Sequence, residues 1–110
     1  MPISMELLKG NAATMILSLL GDRPMYGYQI AKAFGERTQG ALSLKEGTLY
    51  PILHALEREG AVEGRWETSP RGRPRKYYHL TPRGRRQFSR RAAEWREISA
   101  AMDAVLGSVA

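Results

Sequence analysis

The chain has 110 residues and a net charge of +6, with 43% hydrophobic and 25% charged residues, which is the size and composition of one globular domain rather than of a disordered chain. Because it contains no cysteine, disulfide bonds and thiolate chemistry are excluded. No segment has the basic start and apolar core of a signal peptide, and the longest apolar stretch, residues 12–20, is too short for a membrane span, so we expect a cytoplasmic protein without membrane contact.

Two helices are predicted in the first part of the chain. Apolar residues recur at close to helical spacing through the first 20 residues. The sequence GDRP at 21–24 is expected to end this helix, because proline disfavours a helical conformation in the residue before it. A shorter helix is predicted over residues 26–37, and Gly40 marks the next turn. The inner face of this second helix is predicted to be Ile30, Ala31 and Phe34.

A third helix is predicted over residues 45–59, with Gly60 as its stop. Its apolar residues are Leu49, Ile52, Leu53 and Leu56. Pro51 complicates the start of this helix, because proline has no N–H and is tolerated only in the first turn. Thr48 as N-cap would place Pro51 in that turn. Ser43 and Glu46 instead have the spacing of a capping box, which would start the helix earlier and leave Pro51 as a kink. The sequence leaves both starts open.

A hairpin is predicted after Gly60. Apolar and charged residues alternate over residues 62–68, as in a half-exposed strand. A turn rich in proline, glycine and arginine follows at residues 69–74, and KYYHL at 76–80 predicts the returning strand.

One long helix is predicted to complete the chain. Thr81 is its expected N-cap and Pro82 its first residue, and it should end near Leu106. The order of elements predicts a mainly α fold with a small β-hairpin (α+β). In this fold a winged helix-turn-helix domain (residues 1–81) precedes a long C-terminal helix (residues 82–110).

The third helix would be the recognition helix of such a domain. In a helix-turn-helix the N-terminal half of that helix reaches base edges and phosphates. The candidate DNA contacts on that half are Lys45, Thr48, Tyr50 and His54, whose side chains can bond to bases or phosphates. The alternative is that the second and third helices are ordinary core elements.

The positive charge is concentrated in and after the hairpin. The segment 65–91 holds ten basic residues and one acid, so it carries +9 and the rest of the chain −3. One basic region on a mildly acidic protein is typical of a polyanion binder, although a solvated surface is the alternative. Arginine can enter a narrow minor groove, where the potential is most negative. The candidate DNA contacts on the hairpin are Arg71, Arg73, Arg75 and Lys76.

Three linked motifs resemble the PadR-like transcription regulators. They are PMYGYQI at 24–30, GTLYPIL at 47–53 continuing into LEREG at 56–60, and RKYYHLTPRG at 75–84. They follow the family's order and spacing, and the resemblance extends from about residue 7 to the end of the chain. It implies that the second motif lies on the recognition helix and the third on the second strand of the wing.

The resemblance also assigns roles to single residues. It implies that Thr48 and Tyr50 contact DNA and that the arginines of the hairpin contact it from the wing. Either Tyr77 or Tyr78 would pack the wing against the helices, and the sequence does not decide which.

The last helix carries an apolar stripe. Phe88, Ala92, Trp95, Ser99, Met102, Leu106 and Val109 recur at alternating spacings of four and three, as in a coiled-coil seam, and Ile98 and Val105 widen it. The resemblance implies that this helix, with the first one, forms a homodimer interface, in a subgroup with a single C-terminal dimerisation helix. The predicted interface is Phe88, Trp95, Ile98, Met102, Val105 and Leu106. An intrachain core stripe is the alternative.

The sequence contains weaker evidence about small-ligand and metal sites. Trp95 is a candidate contact for a flat aromatic effector, since some PadR-like proteins bind such compounds between subunits; a plain core tryptophan is the alternative. His54 and His79 have no neighbouring ligands that would complete a metal site, so we expect no metal and no cofactor.

The motifs of catalysis are absent from the sequence. It has no glycine-rich phosphate loop and no nucleophile elbow, so no enzyme is expected. The predicted function is a sequence-specific repressor that binds double-stranded DNA as a homodimer. One alternative is an architectural protein that binds nucleic acid without sequence preference. Another is a protein-interaction module that uses the apolar stripe.

Overall fold

The computed structural model describes residues 4–107, and this part of the chain contains four helices and one hairpin. In chain order they are α1 (Met5–Asp22), α2 (Gly27–Arg37), α3 (Glu46–Arg58), β1 (Val62–Thr68), β2 (Pro74–Leu80) and α4 (Pro82–Leu106). The predicted fold class, a mainly α winged helix with a small β-hairpin, is confirmed. None of the helices within residues 4–107 has the length and apolar character needed to cross a membrane.

Side-chain caps fix the starts of the first and last helices. The Ser4 hydroxyl accepts a hydrogen bond from the Leu7 amide at 3.3 Å, at the start of α1. The Thr81 hydroxyl accepts one from the Gly84 amide at 3.0 Å, and Pro82 is the first residue of α4, as predicted. Such caps satisfy amides that have no partner within the helix.

The observed α3 lies within one residue of the predicted range 45–59 at each end, but neither of the two predicted caps starts it. The helix begins at Glu46, with Lys45 at the N-cap and no hydrogen bond from its side chain. Neither Thr48 nor Ser43 caps it, and Pro51 lies inside the helix, beyond the first turn. Because Pro51 has no N–H, the carbonyl four residues earlier lacks its helical partner, and Pro51 itself is exposed.

The hairpin is longer than predicted on its second strand. β1 and β2 are antiparallel, with Val62 opposite Leu80 and Thr68 opposite Pro74, so β2 begins two residues before the predicted start at residue 76. A proline can occupy the first position of a strand because no ladder amide is required there. Gly72 turns the chain between the strands with a φ of +83°, a conformation that favours glycine.

The core lies where α1, α2 and α3 meet the base of the hairpin. Its largest fully buried side chains are Ile16, Leu17, Ile30, Phe34, Leu49, Leu53, Leu56, Val62 and Tyr78. Ala31 of the predicted inner face is only half-buried. Tyr78 is the tyrosine that packs the wing against the helices, and burial raises the pKa of its hydroxyl. Met25 forms a short bridge to the backbone of Tyr78, which joins the start of α2 to the wing.

The long helix α4 packs on the core along its first part only. Gln87 and Ala92 are buried, and Phe88 packs against the core of its own chain. Beyond Trp95 the helix is mostly exposed, and the molecule is elongated, with extents of 52 × 30 × 21 Å. The division of the chain into domains at residues 81 and 82 stays a prediction.

Candidate nucleic-acid interface

A cleft of 310 Å³ separates the hairpin, hereafter the wing, from α3. Side chains from three elements line it: Glu46, Tyr50 and His54 from α3, Tyr26 and Tyr28 from the start of α2, and Trp66, Arg75 and Lys76 from the wing. Four of the eight predicted DNA contacts therefore lie around one cavity.

Tyr50 is held at the cleft by its contact with the first residue of α2. The tyrosine is half-buried, and a Cβ atom added to Gly27 would overlap its hydroxyl oxygen. Glycine is therefore the residue that allows this close approach. His54 lies one turn further along α3 and is exposed, with its ring centroid 6.3 Å from that of Tyr50.

The other two predicted contacts of α3 lie outside the cleft. Lys45 is exposed at the N-cap, and Thr48 is half-buried in the first turn, where its amide donates to the Lys45 carbonyl oxygen at 3.0 Å. Both residues belong to the end of α3 that a recognition helix directs toward base edges.

The arginines of the wing are exposed and available to an anion. Within residues 4–107, no carboxylate lies within ion-pair distance of Arg71, Arg73 or Arg75. The guanidinium of Arg75 lies 5.5 Å from the ring centroid of Tyr26, a cation–π contact that orients it beside the cleft. Tyr26 in turn packs edge-to-face on Tyr77, with centroids 5.2 Å apart.

Lys76 has a partner within the fold. Its Nζ donates a hydrogen bond to Glu57 Oε1 of α3 at 3.1 Å, and this bond raises the pKa of Lys76. A Cβ atom on Gly64 would overlap the Lys76 side chain, so glycine on β1 leaves room for the pair. The ion pair ties the wing to α3 and partly neutralises a cation that was predicted to contact DNA.

The outer face of the hairpin also pairs its own charges. Arg65 donates to Glu63 at 2.9 Å, which lowers the pKa of Glu63, and His79 Nε2 lies 2.8 Å from Glu67 Oε2. His79 is thus bonded within the sheet. No group of three potential metal ligands occurs among the described residues.

Two exposed aromatic residues at the cleft were not predicted from the sequence. Trp66 is 73% exposed on β1, and Tyr28 is 65% exposed on α2. The alternation of β1 placed Trp66 on the same face as Val62, which is buried, and so favoured an inward position. The signal that could have identified Trp66 is its pairing with Lys76, near the outer end of the hairpin.

The second half of α4 presents an exposed apolar stripe. Its exposed members are Trp95, Ile98, Met102, Val105 and Leu106. Of the remaining predicted seam residues, Ser99 is half-buried, Phe88 and Ala92 pack inside their own chain, and Val109 lies outside the described residues. A groove of 520 Å³ opens beside Trp95 between α1 and α4, with Leu8, Met15 and Phe88 among its lining residues.

Comparisons with known proteins point to one family. The model of the transcriptional regulator PadR-like family matches residues 16–90. A transcriptional regulator from Clostridium thermocellum is 30% identical and superposes with a TM-score of 0.87, over 96% of this chain and 99% of its own. A PadR-like transcriptional regulator from Bacillus cereus is 28% identical, with a TM-score of 0.82 over 94% and 99% of the two chains. A PadR family transcription regulator from Clostridium difficile is 35% identical, with a TM-score of 0.78 over 88% and 99%.

Proposed function

The chain belongs to the PadR-like family of transcriptional regulators, and we propose that it is a repressor that binds a pseudo-palindromic operator as a homodimer. The observation that carries this proposal is the cleft that α3 and the wing share. Its α3 wall presents Tyr50 and His54, and its wing wall presents Arg75. A recognition surface and a cationic surface thus face the same side of the molecule.

In the proposed complex, α3 enters the major groove and the wing follows the flanking minor groove or phosphates. Thr48 and Tyr50 contact bases or phosphates from α3, with Lys45 and His54 beside them. Arg71, Arg73 and Arg75 bind from the wing, where exposed guanidinium groups suit the negative potential of a narrow minor groove. Lys76 contributes less to this binding than the arginines, because Glu57 accepts a hydrogen bond from it.

The proposed homodimer pairs through the apolar stripe of α4. The side chains of Ile98, Met102 and Val105 are 59%, 53% and 84% exposed in the single chain, and their association would remove this surface from water. Trp95 and Leu106 extend the same surface, and Phe88 supports it from inside. A two-fold dimer places two recognition helices about one turn of DNA apart, roughly 34 Å, and an operator with pseudo-two-fold symmetry follows from this spacing.

We also propose a flat aromatic compound as effector, bound in the groove beside Trp95. The groove has apolar walls formed by α1 and α4, and an indole can stack on an aromatic ring. Since the same two helices are implicated in pairing, occupancy of the groove would change how the subunits meet. Trp95→Ala should abolish the rise in fluorescence anisotropy that a flat aromatic dye shows when it binds at this site.

The alternatives make different predictions for DNA binding. An architectural protein would bind any duplex equally, and a protein-interaction module would assemble without salt-sensitive DNA binding. We propose no catalytic activity. A regulator of transcription must reach the chromosome, which accords with the cytoplasmic location expected from the sequence.

The test is binding to a duplex from the DNA directly upstream of its own gene, across a salt series, against a scrambled duplex of equal length. We expect preference for the upstream duplex and a steep fall in affinity as salt rises. Thr48→Ala or Tyr50→Ala should reduce this preference far more than the affinity for scrambled DNA. Equal binding to both duplexes would favour the architectural alternative at this locus, and a genome-wide selection of bound fragments would then find any operator elsewhere.

A further inference from the structure

Trp66 and Tyr28 are exposed aromatic residues that both line the cleft. They are 73% and 65% exposed, and both line the cavity between the wing and α3. Single exposed aromatic residues are common in folded proteins, but two that line one cavity indicate a surface that meets a partner. The cationic contacts proposed above do not account for them.

The position of Trp66 follows from the geometry of the hairpin. Alternate residues of a strand share a face, so Trp66 lies on the same face as Val62 and Gly64. Val62 is buried against the helices, and the side chain of Lys76 lies over Gly64. Trp66 is one step further out and lines the cleft opposite α3. Its indole therefore faces the cavity without being covered by the fold.

The occupant of this cleft follows from what its two walls would bind. If α3 lies in the major groove and the wing in the flanking minor groove, the sugar-phosphate strand between those grooves must pass between α3 and the wing. Arg75 supplies positive charge at the cleft, and Tyr50 supplies a hydroxyl donor. A phosphodiester strand presents anionic oxygens together with the less polar face of its sugars. Arg75 and the aromatic rings of the walls match this combination, whereas Glu46 is the one carboxylate among the lining residues and Lys76 is already paired with Glu57.

We propose that the cleft holds one strand of the DNA backbone and that Trp66 packs against a deoxyribose of that strand, with Tyr28 lining the same cleft. This inference rests on the proposed function, because it assumes that α3 and the wing bind adjacent grooves. Trp66 is then a positioning residue that sets the angle of the duplex, and it contributes affinity without reading sequence.

The first experiment compares Trp66→Ala with Trp66→Phe on the upstream duplex and on the scrambled duplex. Trp66→Ala should weaken binding to both by the same factor, about tenfold, because a sugar contact is present on any sequence. The slope of affinity against salt should not change, because every phosphate keeps its cationic partner. Trp66→Phe should restore most of the affinity. Thr68→Ala, an exposed position further along the same strand, is the matched control and should change affinity by less than about twofold.

The second experiment observes the tryptophan directly. The chain has two tryptophans, so a ¹H–¹⁵N spectrum of the wild-type protein contains two indole signals, and Trp66→Phe identifies which belongs to Trp66. Adding the scrambled duplex should shift the Trp66 signal strongly and that of Trp95 little.

The outcomes separate this inference from the proposed function. If the wild-type protein binds DNA and Trp66→Ala binds it with the same affinity, the inference is overturned and the proposed function stays intact. A loss confined to the upstream duplex would also overturn it, because Trp66 would then contact bases rather than sugars. Absence of salt-sensitive duplex binding by the wild-type protein would overturn both.

Discussion

At the residue scale, Gly27 determines where the side chain of Tyr50 can lie. A Cβ atom at Gly27 would overlap the hydroxyl oxygen of Tyr50 and lie within 2.8 Å of its ring. Gly27→Ala should therefore displace Tyr50 from the cleft and lower affinity for the upstream duplex about tenfold, with a loss of roughly 1–3 kcal/mol of folding stability from overpacking. Duplex binding and chemical denaturation measure the two effects.

Two further variants test whether Gly27 acts through Tyr50. Gly35→Ala is the matched control on the same helix, because nothing lies within 4 Å of a Cβ atom there. It should leave DNA binding unchanged and stabilise the fold by up to about 1 kcal/mol. In a Tyr50→Ala background, Gly27→Ala should cause little further loss of affinity. Fully additive losses would show that Gly27 acts independently of the tyrosine.

At the scale of elements, Thr81 and Gly84 join the end of α3, the wing and α4. Thr81 Oγ1 lies 2.6 Å from the Gly60 carbonyl oxygen and accepts from the Gly84 amide. A Cβ atom on Gly84 would overlap the Ala61 carbonyl oxygen, and a backbone atom cannot easily move away. Thr81→Ala should cost about 1–2 kcal/mol, and Gly84→Ala should cost more.

Thermal unfolding measures this ranking. A loss of 1–2 kcal/mol corresponds to a decrease in Tm of roughly 5–15 °C for a domain of this size. Gly10→Ala on α1 is the control, since nothing lies within 4 Å of its Cβ position. If Gly84→Ala were as stable as the wild-type protein, the close approach of α4 to Ala61 would be wrong.

In the described part of the chain, some cations of the wing pair with a carboxylate and others do not, and the salt dependence of DNA binding distinguishes the two kinds. Arg73→Ala should lower affinity for any duplex and reduce the salt slope by about 0.9, the value for one phosphate that is no longer neutralised. The double variant Glu57→Gln/Lys76→Gln removes the ion pair and leaves the net charge unchanged. It should leave the salt slope unchanged, because Glu57 accepts a hydrogen bond from Lys76 in the folded protein.

The salt slopes of the two variants test different parts of the assignment. An equal reduction in both variants would mean that Lys76 contacts phosphate, as the sequence predicted. An unchanged slope in Arg73→Ala would instead contradict the assignment of the wing to DNA.

The elements were predictable from the sequence where local chemistry determines them. The cap at Thr81 with Pro82, and the alternation of β1, predicted boundaries that agree with the structure. The range of α3 was predicted to within one residue at each end, but its cap was not, because Lys45 at the N-cap makes no side-chain hydrogen bond and so leaves no signature. The cleft was beyond prediction as well, since its walls combine residues of α2, α3 and the wing that are distant in sequence.

At the scale of the whole molecule, α4 packs on the rest of its chain along only part of its length. Its first part packs on α1 and the core, whereas its second part extends outward with an exposed apolar stripe. The spacing of that stripe was readable from the sequence. The sequence did not show which members face inward, because Phe88 and Ala92 follow the same repeat as Trp95 and Met102 but lie against their own chain.

The stripe provides the last prediction, because charges placed on it should separate the proposed dimer. Ile98→Glu/Val105→Glu introduces two carboxylates on side chains that are 59% and 84% exposed in the single chain, so the monomer should fold normally while pairing becomes unfavourable through burial of unpaired charge. Sedimentation equilibrium should show a dimer for the wild-type protein and a monomer for the variant. Loss of the second subunit should weaken binding to the full operator by at least about 100-fold and leave binding to a half-site nearly unchanged. Glu97→Gln, at an exposed polar position next to Ile98, should remain dimeric. A variant that stays dimeric would place the subunit interface elsewhere, and a wild-type protein that is monomeric at the concentrations used for DNA binding would contradict the homodimer itself.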